Sequence, residues 1–580
     1  MTSATGAPGP VAAEPLTTGQ PDTDAAAAPA GASGDGLAPG SSVRAGRLPT
    51  VAGTRELTML AFRRDRIMLV AWIYFLIIIS VSGGYGLKLV YKTAASRASL
   101  AASVRADAAL SFIYGQLNGT SLGAIAAWRY LPYAAATAAL MSIFIVVRHT
   151  RADEETGRLE LIGATAVGRN ASLATALTVA AVANIVVCVL TATVLDVSGL
   201  PAAGAIAYAV GQACCGLAFA AIAAVAAQMS STARGARGLA IAGLVVAFLL
   251  RGIGDSGSSH GLAWLTWLSP IGWAELMRPF AAERWWVIAV PLAVAVTLAG
   301  AAVALAAHRD QGSGLVPPRP GPAVAGLLLG GPVGLAWRLQ RGTLAGWAAG
   351  FLATGLAIGA VTTSIGKILG SNATIEKAFT RVGGQAALTN SYLAGCMSLL
   401  GLIAAAYAVA AVLRLRADET GARSEPLLAA PVGRLRWAWS YLLVALAGTA
   451  VVMVAGGLGV GLAYGLAAGD VGTRVLSLMG AGLAQVPAAL TVAAVATLAI
   501  GLRPRWSDGV GWAVLGITGL IGVLGPALQL SQPVLDISPF THVPRLPGGV
   551  FSATPLIWLG AAVVAIGAVS LAGLRHRDIG

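Results

Sequence analysis

The sequence predicts an all-α polytopic membrane protein with about twelve transmembrane helices, arranged as two homologous six-helix halves. Composition is the first reason: 57% of the 580 residues are hydrophobic, 11% are charged and the mean hydropathy is +0.77. A water-soluble fold has no interior large enough to bury that much apolar surface. The second reason is the spacing of apolar runs long enough to cross about 30 Å of hydrocarbon, with about six on either side of a Pro- and Gly-rich stretch at 309–334. The third is a duplication. Arg151 to Arg169, RADEETGRLELIGATAVGR, recurs at Arg416 to Arg434 as RADETGARSEPLLAAPVGR, with ten identities in nineteen ungapped positions at an offset of 265. A polar loop repeated in an apolar chain marks two halves that present the same structure to the same aqueous side.

Taken in order, residues 1–50 are rich in Ala, Gly, Pro, Ser and Thr and lack the apolar core of a signal peptide, so they are expected to be a disordered cytoplasmic tail. The first six-span half occupies 51–308. Thr54 to Arg66 is expected to form a short interfacial helix with a basic end suited to phospholipid headgroups. Its counterpart is Leu335 to Arg341 at an offset of 275, which also superimposes Trp72 on Trp347. First-half spans are expected at Ile67–Leu87, Ala126–Val147, Ala171–Leu195, Pro201–Gln228, Gly238–Leu250 and Trp285–Ala307, the fifth being the shortest. After the linker at 309–334, the second half at 335–580 holds Thr343–Ile365, Ser391–Leu413, Trp437–Leu466, Leu476–Ile500, Gly509–Leu528 and Pro555–Leu574. This layout puts 25 of the 38 basic residues on the side that carries both termini and both charged loops, so that side is expected to be cytoplasmic. The longer loops Lys88–Ile125 and Gly366–Asn390 then face outward. The net charge of +14 follows from the same bias rather than from nucleic-acid binding, because no basic cluster is interleaved with aromatics on a polar domain. All four cysteines, Cys188, Cys214, Cys215 and Cys396, fall in apolar runs and read as small buried hydrophobes.

Within the repeated loops, Asp153, Glu154, Arg158 and Glu160 match Asp418, Glu419, Arg423 and Glu425, and Glu155, opposite Thr420, adds a further acid to the first loop. Glu154 and Arg158 are four apart, as are Glu419 and Arg423, so each pair is expected to bridge along a helical extension of the preceding span. A break near Gly157 and Gly421 follows, then a helix of one to two turns; Pro426 suits its first turn, and Gly168 and Gly433 fit a C-terminal stop. A short rigid helix held between two spans can take a push from a partner and pass it to both. The alternative is a pair of solvated, positive-inside anchors.

On the other side, Arg251 and Asp255 lie four apart at the outer end of the fifth span and are expected to pair as a lock near an outer gate. Leu268-Ser269-Pro270 and Ile537-Ser538-Pro539 interrupt moderately apolar stretches too short to cross, a pattern of re-entrant helices.

These residues carry a resemblance over nearly everything after residue 50. Glu154-Glu155-Thr156-Gly157-Arg158, Glu419-Thr420-Gly421, the closing Val-Gly-Arg of each loop, Arg251-Gly252-Ile253-Gly254-Asp255 and Leu268-Ser269-Pro270 resemble the fused, two-half permease subunits of actinobacterial ATP-binding-cassette exporters of the polyketide-antibiotic or tetronasin type. The resemblance implies an exporter permease fold with re-entrant outer helices, working with a separate ABC ATPase that binds as a dimer. It implies outward transport of hydrophobic drugs or antibiotics, with 151–169 and 416–434 as coupling loops and Thr54–Arg66 and Leu335–Arg341 as elbow helices. The second half departs from this pattern, having Gly525-Pro526 where an Arg-Gly-x-Gly-Asp would fall.

No G-x-x-x-x-G-K-[ST] occurs in the chain, so ATP and Mg are expected on the partner and no cofactor on this chain. No catalytic residue and no metal ligand set emerges from the five histidines. Two rival readings stay open. A proton-coupled multidrug antiporter also has six plus six spans, but needs titratable groups at mid-membrane, where this chain offers almost none. A membrane enzyme acting on lipid-linked sugars needs charged groups gathered on one outer loop, and Lys88–Ile125 supplies a single acid, Asp107.

Overall fold

The structure, a computed structural model, describes residues 50–105, 107–310, 312–316, 324, 326, 331–370, 384–421, 423–524 and 530–577. The expected N-terminal tail up to residue 49, half of the linker 309–334 and residues 371–383 of the loop Gly366–Asn390 lie outside them.

The described residues form helices joined by short turns, with no strand among them. In the first half these are α1 (Thr54–Val81), α2 (Ala94–Arg105), α3 (Ala108–Tyr114), α4 (Leu122–Val147), α5 (Arg158–Gly163), α6 (Ala171–Val197), α7 (Ala202–Met229), α8 (Ala233–Ser256), α9 (Pro270–Leu276) and α10 (Ala289–Ala307). In the second they are α11 (Pro332–Gly370), α12 (Gly384–Thr420), α13 (Glu425–Ala429), α14 (Arg434–Ala468), α15 (Val471–Leu502), α16 (Ser507–Leu524) and α17 (Ala553–His576). Eleven helices among the described residues are long and apolar enough to cross a membrane. The expected Gly509–Leu528 span corresponds to α16, whose 18 residues run up to the undescribed segment 525–529. The protein is an all-α, multi-pass membrane protein.

Two boundaries differ from expectation. The interfacial helix at Thr54–Arg66 is not separate: α1 runs unbroken from Thr54 to Val81, and Leu335–Arg341 likewise lies within α11. No Gly or Pro stands between Thr54 and Val81 to turn the chain. Arg64 and Asp65 on α1 are also tied to the first charged loop, which holds this end of the helix in line with the span. The fifth span is longer than expected because Thr232 caps α8, its Oγ1 accepting from Gly235 N at 3.0 Å, and because the helix continues past Arg251 and Asp255.

Packing explains why the chain is so rich in Ala and Gly. The most intimate helix pair is α11 with α14: a Cβ on Gly355 or Gly359 would collide with the backbone of α14 at Gly456 and Val460, and one on Gly459 with Leu352 and Leu356 of α11. Small residues four apart thus bring two backbones into direct contact, which substitutes for the hydrophobic drive that is missing between helices in lipid. In the first half α7 is the central helix, packed on α4, α6 and α10. Its buried Ala-rich surface joins the main apolar core of that half, and a separate core of the same kind is built around α14 and α15.

Candidate functional site

The first charged loop grows directly out of α4. The helix widens into a π-helical turn at Arg148–Ala152, resumes over Asp153–Glu155 and breaks at Gly157, whose φ of +69° favours glycine. From there α5 runs one and a half turns before the chain returns to α6. The second loop follows the same plan, with α12 ending at Thr420 and α13 starting at Glu425 with Pro426 in its first turn. The expected extension, break and short helix are therefore present in both loops. The assignment of Gly168 and Gly433 as C-terminal stops is corrected: neither has a positive φ, and Gly433 is the N-terminal cap of α14.

The ion pairs are shifted from the expected Glu154–Arg158 and Glu419–Arg423. Glu154 pairs with Arg151 at 3.0 Å and accepts two hydrogen bonds from Arg309, at 2.7 and 2.9 Å, while Arg158 reaches Asp153 at 3.6 Å. Glu419 pairs with Arg416 at 3.0 Å and Arg577 at 2.6 Å, while Arg423 pairs with Asp418 at 3.1 Å. The reason is the break: once Gly157 or Gly421 ends the helix, residue i+4 no longer lies above residue i, and the arginine folds back to the acid one position earlier. Asp153 is also gripped by Arg64 of α1 at 2.8 Å, and Asp418 by the hydroxyl of Tyr441 at 2.7 Å.

Burial tells against one reading of the loops. The solvated-anchor alternative would leave these acids in water, yet the Glu154 side chain is 6% exposed and that of Glu419 2%. Desolvated carboxylates need such dense pairing. Arg169 and Arg434, which close the two repeats, serve a parallel purpose. Arg169 donates to the carbonyls of Ala306 and Ala307 at the end of α10, and Arg434 to that of Arg577 just beyond α17, where a helix C-terminus welcomes positive charge. Glu154 and Arg169 in the first loop, and Glu419 and Arg434 in the second, thus fasten each loop to the end of the last span of its own half.

What remains for a partner is the outer surface of the short helices. Arg158, Glu160 and Leu161 are exposed on α5, and Arg423, Glu425 and Pro426 on or beside α13. Glu155 is exposed too, but its Oε1 accepts from Ala233 N at 3.0 Å, tying the loop to the start of α8. The next residue, Arg234, is near enough to Arg414, Arg423 and Asp418 for their charges to act on it, so both loops lie at one end of the molecule. An open groove of about 430 Å³ between α1 and α5 is lined by Leu57, Leu60, Arg64, Asp153 and Arg158 among others.

At the opposite end, Arg251 and Asp255 approach at 3.7 Å, but the guanidinium sits closer to Glu275 of α9, at 3.2 Å, and donates to the carbonyl of Ile113 at 3.0 Å. Thr266 Oγ1 donates to Asp255 at 3.0 Å. The expected pair is therefore a buried triad of one arginine and two acids. Ser269 caps α9, its Oγ accepting from Gly272 N, with Pro270 in the first turn and both residues buried. Ser538 and Pro539 are also buried, but they lead into a single 3₁₀ turn, Pro539–His542. The two copies share the break and not the helix after it.

Sequence reasoning missed Arg309, Arg577, Arg64 and Glu275. A signal for the first two was present: His308-Arg309-Asp310-Gln311-Gly312 and His576-Arg577-Asp578-Ile579-Gly580 repeat at an offset of 268. Glu275 stood out as an acid within the apolar stretch after Pro270. All four cysteines are free, and no group of three His, Cys, Asp or Glu among the described residues could hold a metal ion.

A multi-pass helical chain built twice over, with its repeated charged loops gathered at one end, has the architecture of a membrane permease. The family model described as multidrug efflux system permease Rv1217c, C-terminal domain, matches residues 329–575. The multidrug efflux system permease protein Rv1217c of Mycobacterium tuberculosis is 42% identical over 532 residues, covering 91% of this chain and 95% of its own length. The chain belongs to this family of efflux permeases.

Proposed function

We propose that the chain is the membrane-spanning permease of an ATP-driven efflux system that exports hydrophobic drugs or polyketide-type antibiotics. It works with a separate ABC ATPase, which docks as a dimer on the two charged loops and carries the ATP and Mg. It resides in the plasma membrane with both termini cytoplasmic. The observation that carries this reading is the form of the loops: in each, buried acids fasten the base to the last span of the half, while a short helix projects an exposed tip. A flexible anchor would have no use for so rigid a base. The name borne by the Mycobacterium tuberculosis relative supports drug efflux as the task. The antiporter reading is less favoured because the acids of the loops and of the Arg251 triad lie toward helix ends, where they are neutralised by arginine.

The test uses the tips and leaves the bases alone. Glu160 and Glu425 make no ion pair among the described residues, and exposed positions of this kind shift stability by no more than about 0.5 kcal/mol. Glu160→Lys with Leu161→Asp, and separately Glu425→Lys, are expected to leave yield and thermal unfolding unchanged and to abolish co-purification of the ABC ATPase encoded nearest this chain. Variants altered in both loops that still bind the ATPase and still couple its hydrolysis to export would refute the docking assignment.

A further inference from the structure

The two halves touch chiefly where α11 of the second meets α2 and α3, which form a cap over the end of the first half opposite the charged loops. Val361 of α11 packs against the cap's apolar cluster of Leu100, Val104, Leu110, Ile125 and Trp128. The cap is fastened from below: Arg251 donates to the carbonyl of Ile113, Gln116 donates to that of Asp255 at 3.2 Å, and Trp128 Nε1 donates to that of Gly115 at 2.9 Å. These bonds fix Tyr114, the last residue of α3. Its ring lies 4.9 Å from that of Trp128 and 5.9 Å from that of Tyr133 on α4, edge to face in the second case. Tyr392 of α12, from the other half, is near enough to both Tyr114 and Tyr133 for the groups to interact. Trp128 is buried, whereas Tyr133 is 37% exposed. The seam between the halves is thus faced by tyrosines from both sides.

Arg129 adds a charge. Its guanidinium stands 5.8 Å from the centre of the Tyr114 ring, the residue is exposed, and it makes no ion pair among the described residues. The neighbouring positive charge on Arg251 is already answered by Asp255 and Glu275. A cation beside a cluster of aromatic faces suits a flat aromatic molecule bearing an acidic group, with ring against ring and carboxylate on guanidinium.

We propose that Tyr114, Tyr133 and Tyr392 with Arg129 form a substrate site at the seam of the two halves, selective for planar aromatic molecules that carry an acidic group. This rests on the export function proposed above. Fluorescein, a planar aromatic carboxylate, and ethidium, a planar aromatic cation, are the probes, and the assay is their ATP-dependent accumulation in inside-out vesicles holding the permease and its ATPase. Tyr133→Ala and Tyr392→Ala are expected to raise the KM for fluorescein by roughly 2- to 10-fold, the range for one aromatic pair. Tyr133→Phe and Tyr392→Phe, which keep the ring, are expected to stay within about 2-fold of the unaltered protein. Arg129→Gln is expected to raise the KM for fluorescein and not that for ethidium. Co-purification of the ATPase with each variant reports folding separately. Fluorescein export unaffected by the Ala variants, or an Arg129→Gln defect equal for both probes, overturns the site while leaving the export function standing. An unaltered complex that moves neither probe on ATP overturns the export function, and the site with it.

Discussion

Glu154 and Glu419 hold equivalent places in the two loops, and each is closed upon by an arginine more than 150 residues further along the chain. Such a carboxylate stabilises only while its partners remain. Glu154→Gln leaves Arg151 and Arg309 facing a neutral amide in a setting where their side chains are 1% and 12% exposed. Breaking a buried pair from one side costs about 3–5 kcal/mol. Denaturant unfolding of the purified protein is expected to show that loss for Glu154→Gln and for Arg309→Ala, with less than additive loss in the double variant. Equal stability of Glu154→Gln and the unaltered protein would mean that the clamp has no structural part. The acid pattern was legible because it recurs; its burial was not, since burial depends on a partner distant in sequence. The Arg251 triad behaves differently. Asp255→Asn or Glu275→Gln leaves the other acid to pair with the guanidinium, whereas Arg251→Met strands two acids together. The arginine variant is therefore expected to be the least stable of the three by thermal unfolding, and an Asp255→Asn protein as unstable as Arg251→Met would contradict the triad.

Helices were the most legible level. Apolar runs located the spans, the glycines and prolines located the loop breaks, and the repeat supplied a second copy to check against the first. What periodicity could not reveal is where a helix continues beyond its apolar part. Both α1 and α11 extend as single rods through residues expected to lie along the membrane surface: no Gly or Pro interrupts α1, no Pro follows Pro332 in α11, and Asp153 and Arg148 hold α1 by Arg64 and Asp65. The glycines of α14 were also unread as contacts, since spacing alone does not say which face meets which neighbour. Their role is testable. Gly459→Leu drives a side chain into the backbone of α11 and is expected to destabilise by at least about 1–3 kcal/mol. Gly350→Leu, where α11 has open space beside it, is expected to be tolerated. Size-exclusion profiles after heating compare the two, and equal survival would show that the close approach of α11 and α14 is not needed.

For the molecule as a whole, two-fold repetition is both the strongest sequence signal and the plan of the fold, yet the halves are not equivalent. The buried Asp65–His149 contact of the first half has no counterpart of the same kind, the matching positions being Gln340 and Arg414. Among the described residues the Arg251 triad likewise occurs in the first half alone. Such asymmetry is compatible with the proposed docking on a dimeric ATPase, because the unequal features, Asp65–His149 and the Arg251 triad, leave the exposed tips of the two loops alike. Energy coupling is the centre of this account, and it is tested most directly by drug accumulation in vesicles containing the purified permease, with and without the ATPase, under ATP or under a pH gradient. The expected result is uptake that requires both the ATPase and ATP and proceeds when no pH gradient exists. Uptake driven by a pH gradient in vesicles that hold the permease alone would contradict it.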